Sequence, residues 1–176
     1  MPSVTSMKIG VHGYFLEFSR RKLLEEYWPR LRGCVDALSD EDVWWRPNEA
    51  SNGIGNLVLH LNGNVRQWLV AAFNDTLDER DRPAEFAERR LVPRAELLAT
   101  LDETMARAGA TLNRLTEADL LKTLHIQGYT VSGVEAVYQV VEHFAMHYGQ
   151  VVYITKLVQG RSLGFYRELD KTGRRP

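Results

Sequence analysis

Four long segments of the chain carry apolar residues at intervals of three and four, which is the repeat of an amphipathic α-helix. These segments are residues 13–38, 52–73, 93–115 and 132–160. Pro93 suits the first position of the third helix, Ser132 and Glu135 form a capping-box pattern, and Gly160 suits the C-terminal end of the fourth. The pattern predicts an all-α fold, a four-helix up-down bundle with short extra helices and irregular connections.

Proline and capping residues divide the chain further. Pro29 lies inside the first segment and should kink or interrupt its helix, because proline cannot donate the helical hydrogen bond. Ser39, with Asp42 three residues later, should open a short helix that ends near Trp45. Thr116 should cap another short turn.

Two connections are not predicted to be long helices. Residues 74–92 are charged and irregular, with room for one helical turn, and residues 123–131 alternate around Gly128 as a small hairpin does. We expect residues 1–176 to form a single domain whose core spans about residues 13–160.

The composition excludes several classes of function. The 176 residues are 44% hydrophobic, and 22 Lys and Arg residues balance 23 Asp and Glu residues, which argues against a nucleic-acid partner. No apolar run is long enough to cross a membrane, and the N-terminal sequence has no secretory signal, so we expect a cytoplasmic protein. Cys34 is the single cysteine and is interpreted as a buried, unreactive thiol.

Two histidines on the fourth predicted helix carry the clearest chemical signal. His143 and His147 are four residues apart, so both imidazoles leave one face of the helix and can reach one metal ion. Both lie in the apolar stripe, and His60 lies on or beside the inward face of the second helix. The competing interpretation is that these are buried histidines with satisfied hydrogen bonds and no metal. Spacing alone does not decide, because it does not say which helices face each other. His12 and His125 are interpreted as surface or turn residues.

Other polar residues near these histidines have supporting roles at most. Asn64 and Gln139 each lie one helical turn from a candidate ligand and can line a pocket or orient a substrate. Gln150 lies about a turn after His147, where support of the histidine and plain helix packing remain equal alternatives. Glu142 should face away from the stripe by about 100°, so we do not count it as a ligand. The catalytic residues, including any general base, are not identified.

Familiar enzyme signatures are absent from the sequence. It contains neither the HExxH motif of zinc proteases nor the Glu-x-x-His motif of di-iron bundles. It also has no phosphate-binding loop and no GxSxG nucleophile motif. These absences leave the histidines as the main candidates for chemistry.

Two segments resemble the DinB-like/YfiT-like superfamily. Residues 51–64 (SNGIGNLVLHLNGN) resemble its second helix, and residues 143–150 (HFAMHYGQ) resemble its fourth. The linker at residues 81–86 (DRPAEF) is similar to one branch of the superfamily, for which no reaction is assigned. The resemblance covers roughly residues 13–160.

This resemblance implies a four-helix bundle, often dimeric, in which His60, His143 and His147 bind one divalent metal ion, usually zinc or nickel. Characterised relatives include thiol-dependent S-transferases and a mycothiol-dependent isomerase. Three protein ligands leave at least one coordination position open, as in catalytic sites. We therefore expect a homodimeric, metal-dependent hydrolase or transferase that acts on a small molecule, with either water or a low-molecular-weight thiol in the open position. The alternative is a non-catalytic bundle that binds metal or is braced by it.

Overall fold

The computed structural model describes residues 10–165 and Arg167, and over these residues the chain is predominantly helical. Its elements are α1 (Val11–Arg20), a π-helical segment (Arg21–Tyr27), α2 (Trp28–Asp36), α3 (Asp40–Trp44), α4 (Ile54–Val65), a second π-helical segment (Arg66–Ala71), α5 (Arg82–Ala87), α6 (Arg94–Arg114), α7 (Glu117–Leu121), β1 (Thr123–Ile126), β2 (Tyr129–Ser132) and α8 (Gly133–Gln159). The predicted all-α class is confirmed. The N-terminal sequence considered for a secretory signal lies, up to its ninth residue, outside the described residues.

Each of the four predicted long helices is present, with ends that differ from the expected ones by at most two residues. The caps predicted at Ser39 and Thr116 and the capping box predicted at Ser132 are all formed, and each of the three is a capping box. Gly160 ends α8 with a φ of 63°, a left-handed conformation that glycine adopts without strain. Pro93 is the N-cap residue of α6 rather than its first helical residue, since its ψ of 136° is not helical.

Pro29 changes the register of the first long helix without ending it. The chain stays helical from α1 to α2, but the residues directly before Trp28 and Pro29 form a π-helical segment. Proline has no N–H to donate, and its ring crowds the carbonyl four residues earlier. The wider π-helical turn accommodates this defect, as such turns do elsewhere inside α-helices.

The order of the helices around the bundle brings the histidine-bearing helices together. The first long helix (α1 and α2) packs against α6 and α8, and so does the second (α4 and its π-helical extension). The first and second helices therefore lie across the bundle from each other, and the connection through α3 spans its width. Since α4 packs directly on α8, His60 and the pair His143 and His147 lie on neighbouring helices.

The predicted hairpin at residues 123–131 is also present. β1 and β2 pair antiparallel, with Thr123 opposite Ser132. Gln127 and Gly128 at the turn have φ values of 54° and 81°, as a type I′ turn requires. The side chain of Trp68 donates a 3.1 Å hydrogen bond to Gln127 and so ties this turn to the end of the second long helix.

Two smaller expectations concern the thiol and the membrane. Cys34 is buried, and burial raises the pKa of its thiol, which agrees with an unreactive core residue. Among the described helices, none combines the length and the apolar character that a membrane span requires.

Candidate metal centre

Three imidazoles from α4 and α8 meet between the two helices. One ring nitrogen from each of His60, His143 and His147 lies within 4.8 Å of the other two. His60 Nε2 and His143 Nε2 lie 3.1 Å apart. His60 is only 2% exposed and His147 is buried, while His143 is half-buried. The convergence that the sequence could suggest only by resemblance is therefore a feature of the structure.

One buried amide positions both the start of α4 and the neighbouring helix α5. The Asn56 side-chain oxygen accepts a hydrogen bond from the backbone N–H of Gly53, which precedes α4, at 3.2 Å. Its side-chain NH2 group donates to the backbone carbonyls of Glu85 and Glu88, at 3.0 and 3.1 Å. α5 is thus held against α4 beside His60, within the charged connection for which one helical turn was expected.

This position of α5 places a carboxylate on His60. Glu85 Oε2 lies 2.8 Å from His60 Nδ1, and Arg80 donates two hydrogen bonds to the same carboxylate, at 2.7 and 2.9 Å. Burial raises the pKa of Glu85, but the hydrogen bonds from His60 and Arg80 outweigh it and hold that pKa below its ordinary value. Arg80 Nη2 also lies 3.1 Å from His60 Nδ1, but it donates to the nearer Glu85 oxygen at 2.9 Å. An ionised carboxylate 2.8 Å from Nδ1 can only accept, so we assign the His60 proton to Nδ1, and the lone pair of Nε2 then faces the other histidines.

A glycine in the middle of α4 makes room for this ion pair. A Cβ atom at Gly63 would lie 2.0 Å from Glu85 Oε1 and 2.7 Å from Arg80 Nε. Glycine inside a helix costs about 1 kcal/mol relative to alanine, so its presence here needs a packing reason. Arg80 and Glu85 were missed in the sequence, and the helix-interior glycine three residues after His60 was the signal that pointed to them.

His147 is oriented by the same principle. Its Nδ1 lies 2.7 Å from the side-chain oxygen of Gln150, which accepts the Nδ1 proton and leaves Nε2 free to bind. This contact favours the interpretation that Gln150 supports His147 over the alternative that it serves only in helix packing. His143 differs, because its buried Nδ1 has no hydrogen-bond partner among the described residues.

The electrostatic environment keeps the imidazoles in the form that binds metal. Burial, followed by the nearby His147 and His60, lowers the pKa of His143 to about 3. Burial also lowers the pKa of His147, although the hydrogen bond with Gln150 acts in the opposite direction. Neutral imidazole is the metal-binding form, so protons compete weakly for these two side chains at neutral pH.

The cluster fits a divalent ion by its donor set and spacing. Bonds of 2.0–2.1 Å in tetrahedral geometry place two ligand nitrogens about 3.3 Å apart, close to the 3.1 Å between His60 and His143. A proton on one Nε2 can satisfy only one pair of nitrogens, whereas one cation satisfies all three lone pairs. Imidazole donors suit zinc, copper, iron and nickel, which include the two metals that the resemblance implies.

The cluster opens onto a cavity of about 690 Å³. Its lining includes His60, Asn64, Trp68, Arg80, Arg82, Gln127, Tyr129, Val131, Glu135, Gln139 and His143. Asn64 and Gln139 are therefore where the sequence predicted them, in a pocket beside the histidines. A second cavity of about 590 Å³ is lined by Gln150 and, among others, Trp45 and Tyr153.

The remaining sequence candidates stay outside the cluster. His12 is half-buried near Glu117, with 3.8 Å between Nδ1 and the carboxylate. His125 is exposed on β1 and contacts Thr130 at 3.1 Å. Glu142 is exposed, as its predicted orientation requires.

Comparisons with known proteins agree with this fold. The structure of a conserved protein from Enterococcus faecalis is similar at 17% identity and a TM-score of 0.69, covering 82% of this chain and 97% of the other. A DinB-like protein from Bacillus cereus ATCC 10987 is similar at 12% identity and a TM-score of 0.64, covering 87% and 95% respectively. A search of the curated proteins finds no match. The sequence profile described as "Protein of unknown function (DUF1572)" matches residues 12–166, so the chain, with its DinB-like fold, belongs to the DUF1572 family.

Proposed function

We propose that this protein is a metal-dependent enzyme in which His60, His143 and His147 bind one divalent ion, zinc or nickel. The observation that carries the proposal is the position of the cluster, since His60 and His143 both line the 690 Å³ cavity. Three protein ligands at the wall of a cavity leave a coordination position that a small molecule can reach. A structural ion, in contrast, is enclosed by four protein ligands.

A divalent ion in such a site supplies Lewis acidity, which lowers the pKa of a thiol or a water molecule in the open position. The chain's own residues position the ligands and hold their protons. Glu85 and Gln150 keep the Nδ1 protons of His60 and His147 and so direct both Nε2 atoms into the cluster.

The carboxylates near the cavity favour one class of reaction. Glu85 is held by Arg80 and His60, and Glu135 accepts two hydrogen bonds from Ser132, each at 2.7 Å. The backbone N–H of Ser132, followed by its hydroxyl, lowers the pKa of Glu135. Burial raises the pKa of Glu85, but His60 and Arg80 outweigh this effect and hold that pKa below its ordinary value. Glu135 is the one carboxylate among the described residues that line the cavity, and its lowered pKa makes it a weaker general base. This favours transfer of a low-molecular-weight thiol, which loses its proton on binding metal, over hydrolysis by water.

The test compares the two reaction classes in one preparation. Zinc- and nickel-loaded protein is incubated with small thiols and an electrophilic alkyl or aryl halide, and separately with activated esters and amides. The proposal predicts a thioether product, detected by mass spectrometry, whose formation requires metal and is lost in His143→Ala. Ester or amide cleavage with the same dependence would assign a hydrolase instead. Metal uptake without either reaction would favour the non-catalytic alternative.

A further inference from the structure

The cavity beside the histidine cluster contains an arginine whose charge is not neutralised by the chain. Arg82 lines the cavity, and among the described residues no carboxylate pairs with it. The acidic residues around it are engaged elsewhere. Asp81 caps α5 by accepting from the N–H of Ala84 at 3.0 Å, Glu85 binds Arg80 and His60, and Glu88 pairs with Arg90.

Arg82 is an exposed residue that lies near His60 by way of the Phe86 ring. Its guanidinium carbon lies 5.0 Å from the centre of the Phe86 ring, and the same ring lies 4.5 Å from the His60 ring. A cation on an aromatic face is stabilised without being neutralised, so the charge remains available to a ligand. A molecule that reaches the histidines through this cavity therefore passes within the field of Arg82.

Two residues that line the same cavity have buried side-chain oxygens without hydrogen-bond donors among the described residues. Asn64 is 3% exposed and its side-chain oxygen has no hydrogen-bond partner among the described residues. The side-chain oxygen of Gln139, one turn before His143 on α8, is buried and also without a partner. Buried acceptors are normally satisfied, so these two oxygens point to a ligand that carries N–H or O–H groups.

The charges of the cavity wall complete the description. The positive charge of Arg80 is balanced by Glu85, and Glu135 keeps its negative charge while it accepts from Ser132, so the arginines and carboxylates here sum to zero. A divalent ion beside the unpaired Arg82 would give the cavity an excess of positive charge. Electrostatic complementarity then favours a ligand of negative charge.

We infer that the small molecule bound in this cavity carries an oxyanion, such as a carboxylate, that pairs with Arg82, and N–H or O–H groups that donate to Asn64 and Gln139. The inference rests on the proposed function in one respect, namely that the other end of the ligand reaches the metal. It names the substrate class of that site and assigns Arg82 as the residue that determines its specificity.

Three small thiols of different charge test the inference. Mercaptoacetate, 2-mercaptoethanol and cysteamine share a thiol and carry a negative, a neutral and a positive group, and each is titrated calorimetrically into zinc-loaded protein. We expect mercaptoacetate to bind about tenfold or more tightly than 2-mercaptoethanol, and cysteamine to bind least tightly. In Arg82→Gln the affinity for mercaptoacetate should fall by about tenfold more than the affinity for 2-mercaptoethanol, so that the advantage of mercaptoacetate disappears. Arg107→Gln is the matched control, because Arg107 is exposed on α6 and lines a different cavity.

The outcomes separate this inference from the proposed function when the titrations are repeated on metal-free protein. If a protein that binds metal has equal affinities for the three thiols, the inference is contradicted and the metal site is not. The same conclusion follows if the advantage of mercaptoacetate persists in Arg82→Gln. An equal loss in Arg107→Gln also contradicts the inference. An Arg82-dependent preference for mercaptoacetate in a protein that takes up no zinc or nickel supports the anion site and contradicts the proposed function. Absence of thiol binding in both forms contradicts both.

Discussion

Glu85 and His60 are 25 positions apart in the chain, yet the Glu85 carboxylate lies 2.8 Å from Nδ1 of His60. The contact turns a charged connection into part of the histidine site. Because Arg80 binds the same carboxylate at 2.7 and 2.9 Å, the orientation of His60 depends on a row of three side chains. Carboxylates that hold ligand histidines in this way strengthen metal binding in other proteins.

Replacing Glu85 with Gln should weaken metal binding by about 10- to 100-fold, because the His60 proton loses its charged acceptor. The affinity is measured by competition with a chelator of known strength, and circular dichroism checks that the helices remain. Glu79→Gln is the control, since Glu79 is exposed in the same connection and lies outside the cavity that His60 lines. Equal affinities of Glu85→Gln and Glu79→Gln would contradict the role of Glu85.

Gly63→Ala should lower both the free energy of unfolding and the affinity for metal. The new Cβ would meet Glu85 Oε1 at 2.0 Å and Arg80 Nε at 2.7 Å, so the ion pair must move, at a cost of about 1–3 kcal/mol. Urea denaturation measures the first effect and chelator competition the second. The matched control is Gly33→Ala on α2, where nothing lies within 4 Å of the added Cβ. There alanine should stabilise the helix by about 0.5–1 kcal/mol, so a gain in both variants would refute the close approach at Gly63.

The stability of the metal-free protein should depend on pH through His143. Its folded-state pKa is lowered to about 3, so between that value and about 6.5 the unfolded chain binds a proton that the folded protein does not. The free energy of unfolding is therefore fully retained above about pH 6.5 and falls as the pH drops toward 3. His143→Gln should reduce this fall by an amount of order a few kcal/mol. Urea denaturation of both proteins at pH 7, 6, 5 and 4 measures the difference, and parallel curves would contradict the burial of a neutral His143.

The expected homodimer remains a prediction, and α8 offers a face for it. Tyr138, Met146, Tyr153 and Leu157 are large apolar residues of this helix that are half or more exposed. Covering such residues is a common role of dimer interfaces. Light scattering at micromolar concentration should give a mass near twice 20.1 kDa, and Tyr153→Glu should reduce it to the monomer value. A monomer mass for the parent protein would contradict the predicted homodimer.

Local patterns were enough to predict the helices but not how they meet. The alignment of His143 and His147 follows from helical spacing on α8, which runs without a break between its Ser132 cap and Gly160. That α4 packs on α8 depends on the order of the helices around the bundle, for which periodicity carries no information. The resemblance to DinB-like proteins supplied His60 instead.

The support of the cluster was harder to foresee. In a stretch as charged as residues 74–92, composition does not tell which side chains fold back and which face water. Arg80 and Glu85 are nearly buried there, at 2% and 10% side-chain exposure, because Asn56 draws the α5 backbone against α4. In the sequence, the one sign of this packing is Gly63, a glycine inside a predicted helix three residues after the candidate ligand His60.

Metal content tests the central claim most directly. The purified protein is exchanged against zinc or nickel, freed of excess metal by gel filtration and analysed for both elements, alongside His143→Ala and His125→Ala. His125 is exposed on the hairpin and outside the cluster, so its variant controls for the loss of a histidine. We predict about one ion per chain in the parent and in His125→Ala, and almost none in a His143→Ala protein that remains helical. A parent that retains no ion, or a His143→Ala variant that retains as much as the parent, would contradict the proposed three-histidine metal centre.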